Sequence, residues 1–314
     1  MTSASAPGKI ILFGEHAVVY GQPALAVPVS EVHADVEVST ESGEGIWISA
    51  PDIDLYAELG TLPPDQPIAA AVRRTLPAVL KTGDLTHPTF RRLTIKVTSS
   101  IPRASGLGSG TAVSVAVVRA LAAHFHYPIS DEEVSSFAYE VDKVHHGTPS
   151  GIDNTVIAFA RPLFFVRGAP PETFRVGRPL TILIGDTGKP APTRDAVADV
   201  RRLWEADKEK WEGVFADVGE IGRHARKAME TGETARLGRL MDENHDLLRQ
   251  MTVSSDELER LVAGARAAGA MGAKLSGGGR GGNMIALATR ERAPRVSDAL
   301  HAAGAKNVII TTIG

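Results

Sequence analysis

The chain has 314 residues, and its 43% hydrophobic and 23% charged residues are typical of a soluble globular protein with one large domain or two. It contains no cysteine, which excludes disulfides, thiolate zinc sites and a cysteine nucleophile. With 34 basic residues, 37 acidic residues and 5% aromatic residues, it lacks the basic field and the stacking surface that nucleic-acid binding uses. Its apolar stretches are shorter than the roughly 20 residues of a membrane span, and no signal peptide is evident. We therefore expect a cytoplasmic protein that binds neither nucleic acid nor membrane.

The first half of the sequence predicts strands interrupted by helices. Apolar residues alternate with polar ones from Val32 to Val38, which is the period-2 pattern of a half-buried strand. Short apolar runs predict further strands at residues 9–13, 45–49, 93–98 and 156–159. A helix is predicted over Ile68–Leu80 after a proline-rich loop, and another begins just after Gly110 and runs to about Phe125. A capping box at Ser130–Glu133 predicts the start of a third helix.

Glycine and proline cluster between Arg167 and Arg178, which predicts an N-terminal domain over residues 1–176 and a C-terminal domain over residues 177–314. Beyond this boundary, apolar runs at residues 180–184, 284–288 and 308–313 are typical of strands. Helices are predicted over residues 194–248, after a capping box at Ser254–Glu257, and around Val296. This order favours an antiparallel sheet covered on one face by helices, which is an α+β domain.

The first candidate site is a glycine-rich loop directly before a helix. Alternating glycines allow a tight turn whose N–H groups point inward, and the helix N-terminus adds partial positive charge, which together favour phosphate binding. For the loop alone, a plain turn before a core helix is an equal alternative. A Walker A ending and the third glycine of a dinucleotide fingerprint are both missing. The loop residues are Pro102, Arg103, Ala104, Ser105, Gly106, Leu107, Gly108, Ser109, Gly110 and Thr111.

A second glycine-rich segment, Lys274–Asn283, lies between two apolar runs. Ordering so many glycines costs much backbone entropy, and such a segment usually allows another backbone or a ligand to approach closely. A flexible loop is the alternative for this segment alone.

The third candidate segment is His145–Asn154, which holds the acid Asp153 in a tight turn before a predicted strand. A turn-capping aspartate is the commoner role of such a residue. The paired histidines lack the spacing of a zinc site, and His145 lies on the apolar face of its helix, which favours a core position. Two interpretations stay open for Asp142 at the edge of that face, since it can reach an interior cation or pair with a surface lysine.

Lys9 opens a predicted buried strand, where its charge must be paired or functional because an isolated buried charge is unfavourable. Asp153 is its candidate partner. A phosphate cradle, a lysine and carboxylates that hold magnesium or deprotonate an alcohol together predict a phosphoryl-transfer site.

Three segments carry a resemblance to a known family. Ala6–Gly21, Pro102–Thr111 and Lys274–Asn283 resemble, in order and spacing, the motifs of the galactokinase, homoserine kinase, mevalonate kinase and phosphomevalonate kinase superfamily. Within it, Gly14–Gly21 and Pro149–Asn154 are most similar to the mevalonate kinase family. The resemblance covers nearly the whole chain. It implies an α+β, two-domain small-molecule kinase fold, with an N-terminal domain of the kind first seen in a ribosomal protein and a ferredoxin-like C-terminal domain.

The function that this resemblance implies is ATP-dependent phosphorylation of the C5 hydroxyl of mevalonate, which gives 5-phosphomevalonate and ADP for isoprenoid biosynthesis. Carried over by position, Asp153 would be the catalytic base, and Lys9 would pair with Asp153 and ease formation of the alkoxide. Glu15, His16 and Thr193 would lie near mevalonate together with these two residues. A homodimer is compatible with the family.

The resemblance also implies an ATP site and a magnesium ion held by Ser109 and Asp142. The ATP-binding residues would be those of the loop from Pro102 to Thr111, together with Ser276, Gly277, Gly278 and Gly279. The sequence departs from the family at Gly110, where a second serine is usual, and at Asp142, where Glu is usual; water can fill a gap in magnesium coordination. Arg280 lies in a run that is usually all glycine, and two interpretations stay open: its side chain contacts a phosphate or points to solvent.

Two alternatives stay open for the function as a whole. One is a related kinase that acts on another small alcohol or on a phosphorylated mevalonate, because specificity depends on a few side chains of the pocket. The other is a non-catalytic relative that binds ATP or a metabolite, since a fold does not fix a function.

Overall fold

A computed structural model describes residues 1–80, 92–103, 105–146 and 149–314, except for the side chains of residues 145 and 146, and these residues form both strands and helices. The strands are β1 (Thr2–Phe13), β2 (Ala24–Glu41), β3 (Ile46–Ala50), β4 (Leu55–Glu58), β5 (Arg92–Ser99), β6 (Leu163–Phe165), β7 (Glu172–Thr173), β8 (Leu180–Asp186), β9 (Gly272–Ser276), β10 (Asn283–Ala288) and β11 (Asn307–Ile313). The α-helices are α1 (Pro67–Leu80), α2 (Ser109–His124), α3 (Asp131–His146), α4 (Ile152–Phe159), α5 (Thr193–Ala206), α6 (Lys208–Thr231), α7 (Thr234–Gln250), α8 (Asp256–Ala267) and α9 (Ala293–Ala302).

The chain folds into two compact units, each of which combines separate stretches of sequence. Unit 1 consists of Met1–Gly8, Val32–Pro102 and Gly108–Ala160. Unit 2 consists of Lys9–Glu31, Arg103–Leu107 and Arg161–Gly314. The long strands β1 and β2 therefore contribute to both units. The domain boundary expected between residues 176 and 177 stays a prediction.

In unit 1, a sheet with the order β4-β3-β5-β2 is accompanied by packed helices α1 to α4. The strand predicted from alternating apolar residues is confirmed, because Val36 and Val38 of β2 are buried and lie opposite Val97 and Ile95 of β5. The predicted capping box at the start of α3 is also confirmed. The Glu133 side chain accepts from the Ser130 N–H at 2.9 Å, and the Glu133 N–H donates to the Ser130 hydroxyl at 3.2 Å.

One predicted strand of unit 1 is wrong. Residues 156–159 belong to α4, which begins at Ile152 and places Asp153 in its first turn. A short apolar run fits a buried strand and a buried helix equally well, so its hydrophobic pattern does not distinguish them. In the helix, Asn154 donates to the carbonyl of Ser135 at 3.2 Å, which ties α4 to α3.

Unit 2 contains a four-stranded antiparallel sheet with the order β11-β8-β10-β9. This arrangement confirms the α+β prediction and the strands expected at β8, β10 and β11. The sequence does not predict β9, because Lys274 in the centre of this five-residue strand interrupts its apolar pattern. Helices α8 and α9 pack against the sheet, and α7 packs against β9.

The long helical region predicted over residues 194–248 consists of α5, α6 and α7. The capping box predicted at Ser254–Glu257 is displaced by one residue. Ser255 is the residue that precedes α8 with an extended backbone, and its hydroxyl accepts from the Leu258 N–H at 3.4 Å. An N-cap requires this non-helical backbone, so the cap belongs to Ser255 rather than Ser254.

Within the residues that the structure describes, no helix combines the length and the apolar character needed to cross a membrane.

Helix α7 crosses β9 at a very close approach that two glycines permit. A Cβ atom on Gly238 would overlap the carbonyl oxygen of Met271, and one on Gly272 would overlap the carbonyl oxygen of Gly238. We therefore expect Gly238→Ala to lower the free energy of unfolding by about 1–3 kcal/mol or more, because overpacking displaces the helix from the strand. Denaturant titration measures this change.

The matched control is Gly213→Ala in α6, where the added methyl group meets no atom within 4 Å. That substitution is expected to stabilise the protein by about 0.5–1 kcal/mol, since alanine favours the helix over glycine. Equal effects of the two substitutions would show that α7 and β9 are not in close contact.

Candidate functional site

The glycine-rich loop before α2 contains two residues with a left-handed backbone. Gly106 and Gly108 have φ angles of 80° and 75°, in the left-handed region that favours glycine. Gly108 is the N-cap residue, and α2 begins at Ser109. The free N–H groups of the first helical turn therefore follow directly on the glycines, as the phosphate-cradle hypothesis requires. Ala104, which was expected in the ATP site, lies outside the described residues.

Unit 2 brings together residues of β1, of the loop Pro102–Thr111 and of the glycine-rich segment Lys274–Asn283. The Lys9 N–H donates to the carbonyl of Leu107 at 2.9 Å, which joins β1 to the loop. The Asn283 side chain, at the start of β10, donates to the carbonyl of Ser105. The Ser276 hydroxyl at the end of β9 donates to the carbonyl of Ile11 at 2.6 Å. Segments that are far apart in the sequence thus share one local network.

The same network contains a buried ion pair that the sequence does not predict. Lys274 of β9 is 0% exposed, and its ammonium group donates to the Glu15 carboxylate, which belongs to a residue that is 2% exposed. The same ammonium group donates to the carbonyl of Leu275 at 2.7 Å and lies 5.8 Å from the centre of the Phe13 ring. Glu15, which was expected to contact substrate, is therefore engaged by Lys274.

Burial dominates the titration of this pair. Removal from water raises the pKa of Glu15 and lowers the pKa of Lys274, while the attraction between the two groups acts in the opposite direction on each.

Lys274 lies on the face of β9 opposite to Ala273 and Leu275, because successive side chains of a strand point to opposite faces. Ala273 and Leu275 belong to the hydrophobic core.

His16 follows Glu15 and contacts the glycine-rich segment Lys274–Asn283. Its Nε2 atom lies 3.1 Å from the carbonyl oxygen of Gly278. Burial, together with the positive charges of Arg280 and Lys274, lowers the pKa of His16 to about 4, whereas the contact with Gly278 acts to raise it. The imidazole is therefore neutral near pH 7.

Thr193 and Arg280 both lie near Gly278. A Cβ atom on Gly278 would lie 2.5 Å from the Thr193 hydroxyl, so glycine permits the close approach of the first residue of α5. Arg280 forms an ion pair with Asp199 of α5, and its Nε donates to the carbonyl of Thr252 at 3.2 Å. Arg280 thus holds α5 rather than pointing into solvent.

In unit 1, Asp142 and Thr111 form a buried polar contact between α3 and α2. The Thr111 hydroxyl lies 3.1 Å and 3.0 Å from the two carboxylate oxygens of Asp142. Ser109 begins the same helix as Thr111. Carboxylate and hydroxyl oxygens are ligands that Mg²⁺ prefers, so the donor set fits a magnesium ion. Among the described residues, no three His, Asp or Glu side chains are grouped as a ready-made metal site.

Lys9 and Asp153, the predicted catalytic pair, are assigned to different units. Lys9 is buried in unit 2, and Asp153 is partly buried in the first turn of α4 in unit 1. Their predicted contact stays a prediction. The side chain of His145, expected in the core, lies outside the described part of the chain.

Lys274 and Asn283 make contacts that the sequence analysis does not predict, and the sequence indicates them to different degrees. The argument that singles out Lys9, that a lysine in a buried strand must be paired or functional, applies equally to Lys274 between Ala273 and Leu275. The cross-chain hydrogen bond from Asn283 has no comparable local signal, because a single asparagine after glycines is typical of a turn.

Comparison with known proteins establishes the family. The model of the GHMP kinases N terminal domain matches residues 68–161, and that of the GHMP kinases C terminal domain matches residues 225–306. A mevalonate kinase from Thermococcus gammatolerans is 34% identical over 98% of this chain and 94% of its own length. The chain belongs to the GHMP kinase family. The kinase family and the α+β fold expected from the sequence are thus confirmed.

Other relatives of this GHMP kinase support the same assignment. A mevalonate kinase from Aeropyrum pernix is 37% identical over 90% of this chain and 87% of its own length. The crystal structure of L. major mevalonate kinase in complex with R-mevalonate superposes with a TM-score of 0.85 at 29% identity, covering 100% of this chain and 96% of that one. The Methanococcus jannaschii mevalonate kinase, at 24% identity and a TM-score of 0.83 over 99% and 96% of the two chains, shares the fold.

The contact between Thr111 and Asp142 generates a stability prediction for this kinase. A buried hydrogen bond from a hydroxyl to a carboxylate contributes about 1.5–3 kcal/mol, so we expect Thr111→Val to lower the free energy of unfolding by that amount. Valine keeps the shape of threonine and removes the donor.

Ser114→Ala in the same helix is the control, because its hydroxyl donates to the carbonyl of Gly110 in its own helix at 3.1 Å. Its loss is expected to lower the free energy of unfolding by less than about 1 kcal/mol. Urea titration compares the two variants. A Thr111→Val protein as stable as the Ser114→Ala protein would contradict the assigned contact.

Proposed function

We propose that this GHMP kinase transfers the γ-phosphoryl group of ATP to the C5 hydroxyl of mevalonate, giving 5-phosphomevalonate and ADP for isoprenoid synthesis. One observation carries the proposal: relatives that are 34% and 37% identical over at least 90% of the chain are mevalonate kinases. The resemblance of Gly14–Gly21 to that family supports the same substrate.

We assign the nucleotide phosphates to the loop Pro102–Thr111 and to Ser276–Gly279. The left-handed glycines of the first loop and the N-terminus of α2 support this role, because backbone N–H groups and the helix dipole both favour an anion. Phosphoryl transfer needs little covalent chemistry from the protein, because positioning and electrostatic stabilisation of the phosphates provide most of the catalysis.

We assign a magnesium ion to Asp142 and Ser109. When bound, Mg²⁺ neutralises phosphate charge and orients the transferred group. The fit of the two oxygen donors supports this role, and Mg²⁺ is usually held by one or two carboxylates together with phosphates and water. Thr111 would then orient the Asp142 carboxylate through their hydrogen bond.

Asp153 is proposed to accept the proton of the substrate hydroxyl, and Lys9 to stabilise the negative charge that develops on its oxygen. Their residue types and positions in the family motifs support these roles. His16 and Thr193 are proposed to contact mevalonate. Glu15 is proposed to lie near mevalonate as well, and its ion pair with Lys274 favours a role in positioning neighbouring residues.

The proposal predicts that the protein with Mg²⁺ and ATP converts mevalonate to 5-phosphomevalonate, measured by ADP release and by mass spectrometry of the product. Asp153→Asn is expected to lower kcat by about 10²–10⁴-fold, and Lys9→Met by about 10²–10³-fold. The affinity for ATP should change little, because neither residue is assigned to the nucleotide.

Asp217→Asn, which changes an exposed carboxylate of α6, is the control and should retain kcat. A panel of other acceptors, including phosphomevalonate, galactose and homoserine, tests the alternative kinases. Turnover of one of these in place of mevalonate would overturn the substrate assignment, and absence of turnover with every acceptor would support a non-catalytic relative. A cytoplasmic location and a homodimer stay predictions.

A further inference from the structure

The outer edge of β9 is covered by side chains rather than by another strand. In the part of the chain that the structure describes, β9 pairs with β10 alone and lies at the end of its sheet. Such an edge presents a row of backbone N–H and C=O groups that the sheet itself does not pair. All five residues of β9 are buried, so these groups need other partners.

Two side chains reproduce the hydrogen bonds of a neighbouring strand at Ala273. Its N–H donates to Oδ1 of Asp242 at 2.9 Å, and its carbonyl accepts from Nη2 of Arg266 at 2.8 Å. The same two atoms of Asp242 and Arg266 lie 2.7 Å apart. An acceptor and a donor are thus held side by side, as an adjacent strand would present its C=O and N–H groups.

Leu275, two residues further along β9, is covered in the same way. Its N–H donates to Nδ1 of His245 at 3.3 Å, and its carbonyl accepts from the Lys274 ammonium group at 2.7 Å. Burial lowers the pKa of His245 to about 4, so the ring is neutral near pH 7. A backbone N–H can only donate, so Nδ1 is the acceptor and the ring proton lies on Nε2.

Helix α7 supplies both acceptors because one of its faces follows β9. Gly238, Asp242 and His245 are separated by four and three residues, which places them on the same side of the helix. Gly238 permits the close approach to the strand that brings the two acceptors within hydrogen-bond distance.

Strand β9 leads directly into the glycine-rich segment, so its position determines where that segment begins. Gly277 and Gly279 have φ angles of 81° and 76°, and glycines lose much conformational freedom when they are ordered. Such a segment keeps one conformation only where its ends are fixed. Its far end is held by the Arg280 N–H, which donates to the carbonyl of Val253 at 2.7 Å. Its near end is Ser276, the last residue of β9.

We propose that Asp242, Arg266 and His245 are positioning residues for the kinase reaction. They take the place of a strand beside β9 and thereby hold Ser276–Gly279 in the conformation that binds the nucleotide. The inference rests on the proposed function, which assigns this segment to the phosphates of ATP. If β9 is loosened, ATP must order the segment as it binds, which lowers the affinity for ATP without removing a group that takes part in the reaction.

Two variants separate the acceptor of His245 from its donor. In His245→Asn, the amide oxygen can replace Nδ1, whereas in His245→Gln the amide can replace only Nε2. We expect KM for ATP to rise about threefold to tenfold in His245→Gln, because the loss of one hydrogen bond changes an equilibrium by about that factor. KM for ATP should stay near that of the unmodified enzyme in His245→Asn, and both variants should retain kcat. Equal KM values in the two variants, or a lower kcat with an unchanged KM, would overturn the inference.

Amide hydrogen exchange followed by NMR gives a measurement that does not need activity. The exchange rate of the Leu275 N–H is divided by that of the Ile184 N–H in β8 of the same sheet, so that a general loss of stability cancels. We expect this ratio to rise about threefold to tenfold in His245→Gln and to stay unchanged in His245→Asn. An unchanged ratio in His245→Gln would overturn the inference.

Asp242 is half-buried and tolerates substitution more readily than the buried His245, so it provides a second test. Asp242→Leu removes the acceptor of the Ala273 N–H, and Asp242→Asn keeps an oxygen there. We expect faster exchange of the Ala273 N–H and a higher KM for ATP in Asp242→Leu alone. The control is Glu243→Gln, which changes an exposed carboxylate of the same helix and should change neither quantity.

The outcomes distinguish this inference from the function on which it rests. Absence of turnover with mevalonate by the unmodified protein would overturn the proposed function. Equal exchange rates and equal KM values for ATP in Asp242→Leu and Glu243→Gln would overturn the inference and leave the proposed function intact.

Discussion

The arrangement of unit 2 depends on the buried ion pair between Lys274 and Glu15. Both groups are removed from water, and attraction offsets this desolvation only when geometry is good and further hydrogen bonds are made. Lys274 makes one further hydrogen bond, to the carbonyl of Leu275, and its ammonium group lies near the ring of Phe13. Because replacing such pairs by apolar residues is often neutral, the pair is a weak source of stability, and we infer that it serves to fix position.

The pair fixes the backbone near Glu15 and the backbone near Lys274 relative to each other. Glu15 precedes His16, whose backbone angles of φ 61° and ψ −49° are strained. Lys274 lies in β9, the strand that leads into the loop at Gly278. The hydrogen bonds from His16 to Gly278 and from Ser276 to Ile11 join the same two segments of the chain. A rigid surrounding of this kind is what allows a strained residue to persist and to present a pre-oriented group to a ligand.

Local patterns predict most of the fold and part of the candidate site. The alternation around Val36 predicts β2 because a strand with one buried face must alternate, and the Ser130 capping box predicts the start of α3 because its bonds are local. The segment after Asp153 is wrongly predicted as a strand, since four apolar residues fit either structure. The partnerships of Thr111 with Asp142 and of Lys274 with Glu15 depend on residues 31 and 259 positions apart, which local patterns do not connect.

A double-mutant cycle on the buried pair tests the central claim most directly. Glu15→Leu and Lys274→Met each leave one charge buried without its partner, which is expected to lower the free energy of unfolding by about 3–5 kcal/mol. The double variant buries no charge, and the account predicts that it is more stable than either single variant. Losses that simply add in the double variant would show that the two side chains do not interact, and would contradict the account.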